Sequence, residues 1–179
     1  ANILLEEGYE PAFIAGVLAN VLAEGSFGKF ESSAYISNPS AEPDYLKHMD
    51  KYYNYRTEFS GKNIMEVDVE KTKKLLDALV SEDRNNDGKI DSQKGSFGFG
   101  AVQWTWGRTF GVIDCYIEVC GLQSFPTLEQ CQKAEGLFMV RELNGDYYNK
   151  KVYQKWKSQY SNSNSLDAAY GAGSIVCLE

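Results

Sequence analysis

Gly16-Val17-Leu18-Ala19-Asn20-Val21-Leu22-Ala23-Glu24-Gly25-Ser26-Phe27 ends an apolar segment on a carboxylate and then turns at once through glycine and serine. From Ile14 onward the apolar residues Ile14, Val17, Leu18, Val21 and Leu22 keep helical spacing. At about 100° per residue Glu24 falls beside Val17 and Val21, at the edge of the core-facing stripe. A carboxylate placed there is partly desolvated, which favours its neutral form and raises its pKa, as proton donation near neutral pH requires. Glu24 is therefore a candidate general acid; the plainer alternative is a side chain that snorkels out of the last helical turn.

The composition bounds what surrounds that helix. A chain of 179 residues, 43% hydrophobic and 24% charged, predicts one well-buried domain over residues 1–179. With 18 Lys and Arg against 25 Asp and Glu, the net charge is -7, which argues against nucleic acid as a partner. No apolar run approaches the ~20 residues that span a bilayer, so no membrane partner is expected. The abrupt start at Ala1-Asn2-Ile3 suggests a monomeric domain of a longer chain. His48 is the single histidine, so a multi-His zinc site is impossible and any Ser-His or Cys-His nucleophile would run through one polar stretch. Cys115, Cys120, Cys131 and Cys177 fit no zinc spacing, and their three disulfide connectivities stay open.

Helical periodicity dominates. It predicts helices over Pro11–Glu24, Pro43–Lys51, Val69–Val80, Arg108–Cys120, Thr127–Leu143, Asp146–Tyr160 and Ser165–Leu178. Pro11 stands in a first turn, and Thr127 with Gln130 three residues on forms a capping box. Asp83 to Trp104 is rich in Gly, Asn and Asp with short β-type runs, so it reads as a small hairpin lobe. The expected class is α+β, mostly helical.

Two further motifs carry chemistry. Asp83, Asn85, Asp87 and Asp91 occupy positions 1, 3, 5 and 9 of a calcium loop, with Gly88 at the sharp turn and Lys89 where a backbone carbonyl ligates. Lys94 replaces the bidentate Glu of an EF-hand at position 12. The alternative is an Asn-Asp-Gly turn with solvated acids. In Gly98-Phe99-Gly100-Ala101-Val102-Gln103-Trp104-Thr105-Trp106-Gly107-Arg108, glycines allow close backbone approach, Gln103 offers donor and acceptor, and the indoles offer flat faces suited to a sugar. Strand alternation would put Gln103 in a cleft and Trp104 in the core, or the reverse. Tyr35, Tyr45, Tyr52, Tyr53 and Tyr55, with Phe59, could line sugar subsites or pack a helix onto the core.

Together, the acid-ended helix Gly16–Phe27, the Gly98–Thr105 segment and Arg108 opening a helix resemble the phage tail lysozyme family. Glu135 to Leu143, Tyr148 to Trp156 and Ala168 to Glu179 resemble that family's C-terminal helices, so the likeness covers nearly the whole chain. The resemblance implies a lysozyme-like fold with a small β-hairpin lobe, allied to goose-type lysozymes and lytic transglycosylases. It implies a secreted or virion-associated enzyme that cuts the β-1,4 bond between N-acetylmuramic acid and N-acetylglucosamine in bacterial peptidoglycan. Glu24 matches the catalytic acid and Gln103 the cleft residue of a Gly-x-x-Gln element; Trp106 and Tyr35 are further candidate substrate contacts from their aromatic faces alone. Anhydro products from a lytic transglycosylase are the alternative; a non-catalytic wall-binding or calcium-dependent binding module is the second.

If Asp83, Asn85, Asp87, Lys89 and Asp91 hold a cation only in the folded state, calcium must raise the melting temperature, and Asp87→Ala must abolish that rise. Melting curves with calcium and with chelator check this; identical curves would leave the loop an ordinary turn.

Overall fold

The computed structural model describes residues 1–32, 54–80, 97–105, 107–145, 152–160, 163 and 165–178; the side chains of residues 24, 79, 80, 177 and 178 are outside that description. Among the described residues the helices are α1 (Asn2–Glu6), α2 (Pro11–Glu24), α3 (Tyr55–Glu58), α4 (Ile64–Val67), α5 (Val69–Val80), α6 (Gly107–Cys120), α7 (Leu128–Asn144), α8 (Val152–Tyr160) and α9 (Leu166–Leu178). The boundaries of α2 and α5 are those expected, and α6 and α9 differ by one residue at their starts. The predicted Pro43–Lys51 helix and the first residues of the predicted Asp146–Tyr160 helix lie outside the described residues.

Local chemistry explains these ends. Pro11 occupies the first turn of α2, where its missing N–H costs nothing. The capping box of α7 is complete: Thr127 Oγ1 accepts the Gln130 N–H at 3.3 Å and Gln130 Oε1 accepts the Thr127 N–H at 2.8 Å. Gly145 then closes α7 in the left-handed conformation, donating to Glu142 O at 3.0 Å.

Two apolar cores flank α7. One gathers Phe30, Tyr55, Phe59, Phe97, Phe99 and Trp104 with α5, α6 and the α7 residues Cys131, Ala134 and Phe138. The other gathers Leu4, Tyr9, Phe13, Ile14, Val17 and Trp156 with α9 and the α7 residues Val140 and Leu143. Tyr55 and Phe59 are thus packing residues, with the Tyr55 hydroxyl donating to Glu31 O at 2.9 Å. Tyr35, Tyr45, Tyr52 and Tyr53 lie outside the described residues. On α2, Ile14, Val17 and Val21 are buried as expected, but Leu22 is 85% exposed. The helical angle from Val21 to Leu22 carries it off the stripe onto the solvent side.

Among the described residues the β structure is a set of single bridges, the last of them closing a short hairpin before α6. Lys29 pairs with Asn63, Phe30 with Phe99, and Phe99 with Trp104, all antiparallel. Residues 81–96, most of the expected lobe, lie outside the described residues.

Among the described residues α2 packs tightly against α9. A Cβ built on Gly16 would lie 2.3 Å from Ala169 O and 2.5 Å from Gly173 N, so the two backbones meet where only a glycine fits. Asn20 Nδ2 reinforces the contact, donating to Gly173 O at 2.9 Å. Alanine is the better helix former by about 1 kcal/mol, yet the clash is with backbone that cannot rotate away. Gly16→Ala should therefore lower the unfolding free energy by about 1–3 kcal/mol, read by urea denaturation. A neutral or stabilised Gly16→Ala protein would mean that α2 and α9 part freely.

Candidate active site

The segment after α2 and the hairpin before α6 meet edge to edge. Gly100 N–H donates to Lys29 O at 2.9 Å and Glu31 N–H donates to Gly98 O at 2.7 Å, while the Phe99 and Trp104 backbones exchange bonds of 3.0 and 2.9 Å. The second pair closes a tight turn over residues 100–103. Within it Gln103 adopts φ +52°, and its Nε2 donates to Gly100 O at 2.9 Å.

This turn separates Gln103 from Trp104. Trp104 is wholly buried, stands edge-on to Phe138 with centroids 5.3 Å apart, and donates from Nε1 to Glu142 Oε2 at 2.7 Å. Gln103 instead folds over its own turn, beside the end of α2: a Cβ built on Gly25 would lie 3.8 Å from Gln103 Nε2. The opposed facing arises from the left-handed turn residue and not from the strand alternation expected of the sequence.

Of the other sequence-derived site residues, Glu24 is the last residue of α2, and its side chain lies outside the described residues. Trp106, Tyr35, His48 and the loop residues Asp83, Asn85, Asp87, Lys89 and Asp91 lie outside them as well. Cys115, Cys120 and Cys131 are free thiols, and burial pushes both Cys115 and Cys131 up to about 11. A pocket of about 530 Å³ between α1, α2 and α7 is lined by Ile3, Leu18, Val21, Phe27 and Met139. Gln103 does not line it.

Sequence reasoning missed the carboxylates under the site. Glu135 is fully buried; its Oε1 accepts the Gly28 N–H at 2.6 Å and the Tyr116 hydroxyl at 2.7 Å, and its Oε2 accepts the Ala101 N–H at 2.8 Å. The same helix face carries Phe138 and Glu142, three and seven residues on. Glu142 holds Arg108 by two bonds, Nε to Oε1 at 2.5 Å and Nη2 to Oε2 at 2.9 Å. Glu31, at the outer edge, accepts the Gly98 N–H on Oε2 at 2.8 Å. The spacing Glu135-x-x-Phe138-x-x-x-Glu142 was the available signal, since it puts two acids and an aromatic ring on one face.

A family model described as phage tail lysozyme matches residues 1–172. The chain belongs to the phage tail lysozyme family. Membership brings a lysozyme-like, peptidoglycan-degrading activity and virion-associated action on the cell wall. No curated protein and no solved structure matches the chain. Among the described residues no helix is long and apolar enough to cross a membrane.

Glu135 gives the stability of the fold a pH dependence. Burial raises it from 4.5 to about 7, against the hydrogen bonds from Tyr116, Ala101 and Gly28 that favour its charged form. Because the folded state holds the proton more tightly than the unfolded chain, the stabilisation from Glu135 is complete below about pH 4.5 and is lost as pH rises through about 7. The unfolding free energy of the wild type minus that of Glu135→Gln should therefore fall between about pH 4 and about pH 8, by on the order of 3 kcal/mol. Urea titrations at several pH values check this; a flat difference would show that Glu135 titrates alike in both states.

Proposed function

We propose that the chain cuts the β-1,4 bond between N-acetylmuramic acid and N-acetylglucosamine, with Glu24 as general acid. The observation that carries this reading is the meeting of the last turn of α2 with the Gln103 hairpin at Gly25. Val21 and Val17, one and two turns from the end of that helix, are buried, which supports a desolvated acid at its terminus. Glu24 would give its proton to the leaving glycosidic oxygen as positive charge builds on the sugar ring, and Gln103, its Nε2 held by Gly100 O, would hold the sugar through its amide oxygen.

The fate of the glycosyl cation separates hydrolysis from transglycosylation. Attack by water, with a second carboxylate taking its proton, leaves a reducing end; attack by the substrate's own 6-hydroxyl, with Glu24 as base, leaves an anhydro end. Hydrolysis is the reading we favour, with Glu31 beside Gly98 as the carboxylate proposed to serve the water. For Asp83 to Asp91 the proposal stays a structural calcium ion, supported by donor spacing alone.

Glu24→Gln keeps the size of the side chain and removes its transferable proton. Release of fragments from purified peptidoglycan should fall by about 10²–10⁴-fold with the melting temperature retained. Gln103→Ala should slow release while the fold persists. Mass spectrometry of the wild-type products, reducing or anhydro, decides the second step; a Glu24→Gln protein above about a tenth of wild-type rate sinks the assignment of the acid.

A further inference from the structure

Glu135 belongs to neither reacting group, yet it touches the chain on both sides of the site. Gly28, whose N–H it accepts at 2.6 Å, follows Glu24 by four residues; Ala101, whose N–H it accepts at 2.8 Å, precedes Gln103 by two. One oxygen serves each segment. The distance between the two oxygens is fixed by the carboxylate itself, so the separation of the two segments is fixed with it. The fit is close: a Cβ built on Gly100, at φ +78°, would lie 2.9 Å from Glu135 Oε2 and 2.9 Å from Trp104 Cζ3. The hairpin backbone thus rests on the carboxylate with no side chain between. On α7 the group is backed by Ala134 and Phe138, both wholly buried, so it has no solvent into which to swing.

We propose that Glu135 is a positioning residue for glycan cleavage, a single buried carboxylate that sets the spacing between the segment carrying Glu24 and the hairpin carrying Gln103. This rests on the reading of Glu24 and Gln103 given above. A displacement of about 1 Å between acid and substrate-holding group is enough to cost on the order of 100-fold in rate. A glutamine at position 135 has one oxygen and one NH₂, so at any orientation one of the two backbone N–H groups meets a donor instead of an acceptor. The segment attached to it must then shift or lose protection.

The test is amide hydrogen exchange at Gly28 and Ala101, together with kcat and KM for fragment release, in wild type, Glu135→Gln and Tyr116→Phe. Tyr116→Phe removes one hydroxyl donor and leaves both backbone bonds. Glu135→Gln should lose exchange protection at Gly28 or Ala101 and lose kcat by at least about tenfold at a temperature well below its melting point, with KM within about threefold. Tyr116→Phe should keep both. If Glu135→Gln does not fold, Glu135→Asp, too short to reach both segments, replaces it with the same readouts. Unchanged protection, or lost protection with kcat unchanged, overturns the proposal, as does a kcat loss no larger than that of Tyr116→Phe. Exchange depends on the latch and not on the chemistry. Full activity in Glu24→Gln would therefore remove the acid assignment without altering the exchange result, and the two failures are distinguishable.

Discussion

A carboxylate removed from water and given three hydrogen-bond donors ties the segment after α2 to the turn before α6. The Born cost of burying such a charge is large, and the bonds to Gly28, Ala101 and Tyr116 offset it only in part, which is why burial still raises Glu135 to about 7. A latch made this way is selective. A hydrophobic residue at 135 could fill the volume, but it would strand two backbone N–H groups in the interior.

The latch works because α7 stands between the two cores. Its first half packs against α6 and the aromatic group around Phe30, while its last turns pack against α1, α2 and α8 through Val140 and Leu143. Glu135 and Glu142, on one face and two turns apart, therefore reach the hairpin at two points, Ala101 in the turn and the Trp104 indole beyond it. Arg108 extends the second point into the start of α6. The hairpin owes little to strand pairing, which amounts to single bridges, and much to one helix beneath it.

What the sequence made legible was local. Pro11 and the Thr127–Gln130 box act within a few residues of themselves, so the starts of α2 and α7 were readable to within a residue. The bridges joining residues 29–30 to 63 and 99 link segments far apart in the chain, and no periodicity announces them. Leu22 was misread because an apolar residue next to a buried stripe was counted into it. Glu135 was missed for the opposite reason, since an acid in an amphipathic helix reads as solvent-facing unless its spacing to Phe138 and Glu142 is weighed. The facing of Gln103 and Trp104 came from a positive φ at a non-glycine residue, which side-chain pattern alone does not encode.

The glycine contact between α2 and α9 has a further consequence. Gly16 and Asn20 grip the backbone of α9, and Glu24 stands one turn past that grip, about 6 Å of helical rise away. Helix α2 thus behaves as a short lever clamped at mid-length, with its acid at the tip. A slip of α9 by a single residue would advance the tip by about 1.5 Å, more than a proton-donating group tolerates. With Glu24 in its proposed role, α9, remote in sequence from every residue proposed to touch the glycan, would be the gauge against which the acid is set.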